Sequence, residues 1–211
     1  MQRNKRRLLS AALHLFYEKG YEVTTVEDIT EQADLGKGTF YRYFDNKTEV
    51  WQALQEDSID RLLNLMHAAK NPPHTIQDVL GVLFDAHSRH FVASPSKFML
   101  TLQGSILGKK QREESAALQQ AFDAYVDAIG DHLRPYLPQL LDAAKIRQMT
   151  LLVIGLVWGA FSLMLSDMSQ EEAKASLKAL RRGFVSACQQ FLLAGFQDGR
   201  VRSPGHQEGA T

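Results

Sequence analysis

Residues Thr24 to Trp51 read TTVEDITEQADLGKGTFYRYFDNKTEVW, and their spacing decides the fold. Thr25 precedes Val26, Ile29 and Ala33, apolar positions at helical intervals. That predicts a short helix with Thr25 as N-cap and Glu27 and Asp28 at its positive end. Asp34-Leu35-Gly36 is a break. A second short helix is expected from Lys37 to Phe44, and Asp45-Asn46-Lys47 breaks the chain again before a long helix. Setting Phe40 and Phe44 inward at about 100° per residue turns Gly38 and Arg42 outward. Thr39 then lies on the outer face, with Tyr41 and Tyr43 at its two margins.

Two short helices joined by a tight turn, the second exposing a glycine, a threonine and an arginine between tyrosines, suit a surface that lies against a partner. Gly38 removes bulk where that partner comes close. Thr39 and Arg42 can reach base edges, arginine matching the two acceptors of guanine. The hydroxyls of Tyr41 and Tyr43, the backbone N–H groups at the helix starts near Thr25 and Lys37, and the ammonium of Lys47 can hold phosphates and so fix register.

This segment resembles the DNA-binding domain of the TetR family of transcriptional regulators, whose pattern runs roughly T-V/I-x-D-I-A-x-x-A-G-V-S-x-G-T-F/L-Y-x-Y/H-F-x-x-K. The match falls on Thr25, Val26, Asp28, Ile29, Ala33, Gly38, Thr39, Phe40, Tyr41, Tyr43, Phe44 and Lys47, without a gap. Three positions depart from it: Thr30 replaces the usual Ala, Asp34 the turn Gly, and Gly36 the capping Ser. Asp tolerates left-handed backbone better than most residues, and Gly is a workable N-cap. The resemblance implies an all-α chain of about nine helices. A helix-turn-helix DNA-binding domain over residues 1–50 would precede a helical effector-binding and dimerisation domain over 51–197, and a tail over 198–211 is expected to be unordered. It also implies a cytoplasmic homodimer that binds a double-stranded, palindromic operator, without a cofactor, and that acts as a repressor leaving the operator when a small molecule binds. The helix from Lys47 to Ala69 is the natural lever between the two parts.

Further along, Pro and Gly again fall between apolar-periodic stretches, so nearly the whole chain reads as helical. Helices are expected from Thr75 to Phe91, Pro95 to Leu107, Glu113 to Leu133 and Leu141 to Ser166, with a last one opened by the Ser169-Gln170-Glu171-Glu172 capping box. In the family, the middle helices enclose an effector pocket, and the resemblance puts Phe84, His87, Phe91, Phe98, Met99, Gln103, Phe122 and Tyr125 there. The same residues are what any helical core contains. His87 and His90 form H-x-x-H without a third ligand of convincing spacing, so no metal is expected. In the last helix Leu177, Leu180, Phe184, Cys188 and Phe191 recur at intervals of three and four, a seam suited to another helix. With Gly155 and Gly159 of the preceding helix it is expected to form the dimer interface.

The whole chain has 211 residues, 24 Lys+Arg against 24 Asp+Glu, and one cysteine, which excludes an intramolecular disulfide. Neutrality gives no hint of nucleic acid, yet the first fifty residues concentrate their cations: Arg3, Lys5, Arg6 and Arg7 in the N-terminal arm, Lys37, Arg42 and Lys47 around the second short helix. From Met149 to Ser166 no residue is charged, which is the lower edge of a membrane span. Acidic residues soon after it and the lack of an orienting basic cluster favour a buried or subunit-joining helix. The competing reading is a helical membrane-anchored or adaptor protein that inserts this segment in lipid. There is no phosphate loop, nucleophile elbow or metal-binding His/Glu pair, so catalysis is not expected.

Overall fold

The structure, a computed structural model, describes residues 2–69, 72–100, 114–139, 141–167 and 170–197, and every regular element among them is helical. In chain order these are α1 (Gln2–Glu18), α2 (Val26–Gln32), α3 (Lys37–Phe40), α4 (Lys47–His67), α5 (Ile76–Ala93) and α6, described over 95–100. Then come α7 (Glu114–Leu133), a 3-10 turn (Arg134–Tyr136), α8 (Ala143–Asp167) and α9 (Gln170–Gln197). The expected tail at 198–211, the far half of the Pro95 to Leu107 helix, Gln103 and the Ser169 cap lie outside the described residues.

Local chemistry sets the early helices. α1 ends where Gly20, at φ 90°, takes a left-handed conformation that costs glycine little. Thr25 caps α2 in a reciprocal box: its hydroxyl accepts from the Asp28 N–H at 3.1 Å, and the Asp28 carboxylate accepts from the Thr25 N–H at 2.9 Å. α2 closes with the Asp34 N–H bonded to Glu31 O and the Leu35 N–H to Thr30 O, both 2.9 Å. That pair of bonds is the Schellman arrangement, and its left-handed position is Asp34, at φ 50°. The Arg7 guanidinium secures it by donating to the Asp34 carboxylate at 3.0 Å and carbonyl at 3.3 Å. Regular helix in α3 stops at Phe40 instead of the expected Phe44, because the Tyr43 N–H tightens onto Phe40 O at 2.9 Å. The inward pair survives this change, with Phe40 and Phe44 both buried.

Two cores result. The first gathers Leu8, Ala12, Phe16, Tyr21, Ile29, Phe40, Phe44 and Trp51, with Phe16 and Tyr21 tilted against Trp51 at 5.3 and 5.0 Å between ring centroids. The second gathers α5, α7, α8, α9 and the C-terminal half of α4. α4 belongs to both, contributing Val50, Trp51 and Leu54 to the first and Ile59, Leu62 and Met66 to the second. α6 touches the first core through Leu100, whose carbonyl accepts from the buried Gln55 amide at 2.8 Å. Ion pairs pin the second core at its rim: Arg147 on α8 to Asp123 and Asp127 on α7, and Arg181 on α9 to Asp85 on α5. Arg181 lies directly over Gly81, where a Cβ would stand 2.3 Å from its Nη2, so the glycine makes room for the guanidinium.

α8 includes the uncharged segment from Met149 to Ser166, and residues 143–161 are long and apolar enough to cross a membrane by length and composition. Its environment is two-sided. Met149, Val153, Ile154, Val157, Trp158 and Phe161 are buried in the second core, whereas Leu151, Leu152, Leu156, Gly155 and Gly159 are exposed.

Candidate nucleic-acid interface

The exposed surface formed by α2, the turn and α3 takes shape from the packing beneath it. Burial of Phe40 and Phe44 turns Lys37, Gly38, Tyr41 and Arg42 to the exterior and leaves Thr39 half-buried. A Cβ at Gly36 or Gly38 would meet nothing within 4 Å, so close approach from outside is open at both. The Tyr41 ring, 54% exposed, stands edge-on to Phe40 at 5.4 Å, which fixes where its hydroxyl points. Arg42 is exposed, with no ion-pair partner among the described residues. Thr25 is exposed and engaged as a cap.

Two expected contacts are arranged differently. Tyr43, predicted as a margin of the exposed face, is half-buried and packs against the first core. Lys47, predicted to hold a phosphate, turns inward. Its ammonium donates to the carbonyls of Tyr21, Glu22 and Thr24 at 2.9, 3.0 and 3.0 Å and sits 4.5 Å from the Tyr21 ring centroid. An ammonium has three N–H donors, and all three are taken. The adjacent Thr48 hydroxyl bonds the Tyr21 hydroxyl at 2.9 Å, so the start of α4 clamps the loop that carries the α2 cap. The carbonyls that attract Lys47 belong to a loop whose course spacing could not reveal.

Sequence reasoning also missed how the acids of α2 and the turn are used. Lys37 is paired with Glu27, Lys19 lies 3.9 Å from Asp28, and Arg7 is bonded to Asp34. The Lys37 ammonium beside Glu27 holds that carboxyl below the usual carboxylate range, and the Thr25 cap does the same for Asp28. Residues 1–50 hold eight Lys/Arg and eight Asp/Glu, a balance that was the one sequence signal for such pairing. Lys5 adds a cation over the Phe44 ring at 5.4 Å.

In the second core the structure brings five of the residues expected around an effector into one cluster. Phe84, His87, Phe91, Phe98 and Tyr125 are all buried, Phe122 lies half-buried beside Tyr125, and Met99 is half-buried. His87 Nδ1 is 2.7 Å from Leu83 O, and because a carbonyl only accepts, that nitrogen carries the proton. Nε2 then accepts from the Tyr125 hydroxyl at 2.7 Å. Burial pushes the His87 pKa down to about 4 and raises that of Tyr125, so both stay neutral. His90 pairs with the Ser58 hydroxyl at 2.8 Å, and its Nδ1 is buried without a hydrogen-bond partner among the described residues.

The seam expected on α9 is divided. Phe184 and Cys188 face this chain's own core, and Leu177 and Leu180 pack against it. The first two are therefore corrected from partner-facing to internal. An apolar stripe at intervals of three and four does not say which of two neighbours it covers. Burial also pushes the Cys188 thiol up to about 12. Phe191 is 38% exposed, and among the described residues of α8 and α9 Leu151, Leu152, Leu156, Gly155 and Gly159 are uncovered as well.

Comparison with known proteins agrees with this geometry. Residues 8–54 match the model of the family described as bacterial regulatory proteins, tetR family. The chain is 27% identical over 149 residues, 66% of its own length and 50% of the relative's, to YuxN, an HTH-type transcriptional regulator of Bacillus subtilis. It is 28% identical over 80 residues, 38% of its length and 43% of the relative's, to IcaR of Staphylococcus epidermidis, a negative transcriptional regulator of a biofilm operon. The chain thus spans about half the length of the curated relatives it matches. Among solved structures, the transcriptional regulator FadR of Bacillus subtilis, in complex with stearoyl-CoA, superposes with a TM-score of 0.68 at 18% identity. The superposition covers 87% of this chain and 96% of that one, a likeness of fold.

Proposed function

From a helix-turn-helix of the TetR family at residues 8–54, we propose that the chain is a dimeric, sequence-specific DNA-binding regulator. It represses by holding a palindromic operator and leaves it when a small molecule occupies the helical part at residues 51–197. The observation that carries this reading is the exposed face of α3, where Gly38 opens space beside Thr39, Tyr41 and Arg42. Thr39 and Arg42 read base edges in the major groove; Tyr41 and the N–H groups at the starts of α2 and α3 hold phosphates. Tyr43 and Lys47 support this surface from behind. Two copies, related by a two-fold axis, address half-sites about 34 Å apart.

The second copy is held by the exposed stripe of α8, with Leu152, Gly155, Leu156 and Gly159 at helical spacing, and by Phe191 of α9. A contiguous uncovered apolar surface of this kind marks an interface. The same stripe is why α8 is read as a core and interface helix, in a cytoplasmic protein, and not as a membrane anchor. The effector enters among α4, α5, α7 and α8, where the His87–Tyr125 and His90–Ser58 pairs are polar groups in an aromatic surround. It releases DNA by favouring a half-site separation unlike that of the bound form. Since FadR holds stearoyl-CoA, long-chain acyl thioesters are the first compounds to add.

Genome-wide recovery of bound fragments, followed by affinity measurement on them, tests the reading. Thr39→Ala and Arg42→Ala are expected to weaken binding and relax discrimination, by about 1–3 kcal/mol at the base each one reads. Unchanged affinity and selectivity in both variants would remove α3 from the interface.

A further inference from the structure

The DNA-reading face carries a restraint of its own. Lys37 opens α3, and its ammonium is in contact with the carboxylate of Glu27, in the first turn of α2. Both side chains are over half exposed, so the pair bridges the starts of the two short helices at the surface proposed to meet the DNA backbone. The other acid of that turn, Asp28, is spent on the Thr25 cap. Glu27 is thus the carboxylate free to follow Lys37, and at neutral pH both partners are charged.

A phosphate that recruits Lys37 must first take it from Glu27, and it then leaves an uncompensated carboxylate beside the phosphate row. Phosphate contacts supply the sequence-independent part of affinity, whereas base contacts discriminate. We propose that Glu27 sets specificity: by holding the Lys37 ammonium it weakens attachment to arbitrary DNA, so that Thr39 and Arg42 decide where the protein stays. This rests on the DNA-binding reading above. It also gives the even charge count of the first fifty residues a use, since acids there tether bases instead of diluting the field.

The test is binding of the full-length protein to a recovered operator fragment and to a scrambled fragment of equal length, between about 50 and 200 mM salt. The variants are Glu27→Gln, Lys37→Met and both together. Glu27→Gln is expected to tighten the scrambled fragment by about two- to fivefold, the range of exposed ion pairs, and to lower the operator-to-scrambled ratio. Its plot of log affinity against log salt should steepen by about one unit. Lys37→Met alone should change scrambled binding little, and in the double variant the gain from Glu27→Gln should disappear. Unchanged scrambled affinity in Glu27→Gln, or a gain that persists without Lys37, overturns the proposal and leaves the DNA-binding reading standing. If the wild-type chain retains no fragment at low salt, both fall together.

Discussion

Lys47 shows how one side chain can be in the expected place with a different job. Its position after Asp45-Asn46 puts it at the head of α4, where a phosphate contact was expected, yet three carbonyls and an aromatic face take up the ammonium. Lys47→Met keeps the methylene stem and strips the donors. It should lower the chain's stability by about 1.5–3 kcal/mol, the range for hydrogen bonds to a charged group, in denaturant unfolding. Operator affinity should fall by the same factor on operator and scrambled DNA, because the loop that carries Thr25 loosens and no base contact is lost. A loss confined to the operator would contradict this arrangement. Asp34 is the opposite case: the need for a residue tolerant of left-handed backbone was readable from the turn, and φ 50° meets it. Its bond to Arg7, 27 positions away, was not readable.

Among the elements, α8 and α9 carry the proposed contact between two copies. Leu156 is 46% exposed between Gly155 and Gly159, in the middle of the α8 stripe. Leu156→Arg adds a charge to that surface at a residue outside the buried core. Sedimentation is expected to report two chains for the wild type and a single chain for the variant, with unchanged helix content by circular dichroism. Persistence of the two-chain species would move the interface elsewhere. The helices themselves were legible because caps and breaks such as Thr25, Thr75 and Gly20 act over three or four residues. Which flank of α9 faces inward was not, since Phe184 and Cys188 satisfy a seam with either neighbour. α3 is shorter than its periodicity because a one-bond tightening at Tyr43 keeps the aromatic spacing while ending the regular ladder.

For the molecule as a whole, the buried histidines set the response to acid. His87 is held near a pKa of about 4 by burial, and His90 likewise by burial and then by the Arg61 and Lys97 cations. In the unfolded chain both return to about 6.5 and bind protons first. Stability is therefore full above about pH 6.5 and falls as the pH drops toward 4, by about 1.4 kcal/mol per pH unit for each ring. Urea unfolding at a series of pH values should show this slope, and His90→Gln should remove about half of it. A flat profile between pH 6.5 and 5 would mean that the rings are charged, or solvated, in the folded state. The pattern H-x-x-H marked these residues, but only the packing of α4, α5 and α7 shows that each is neutral and what it bonds.

The chain has two tryptophans, and they are shared out evenly: Trp51 lies in the first core and Trp158 in the second. Intrinsic fluorescence therefore has two sources with separate addresses. A chain with Trp158→Phe emits only from the core beneath α2 and α3, and one with Trp51→Phe only from beside Tyr125, whose ring stacks on Trp158 at 5.6 Å. Following each emission during titration with operator or candidate effector would show which end responds first, without attaching a dye.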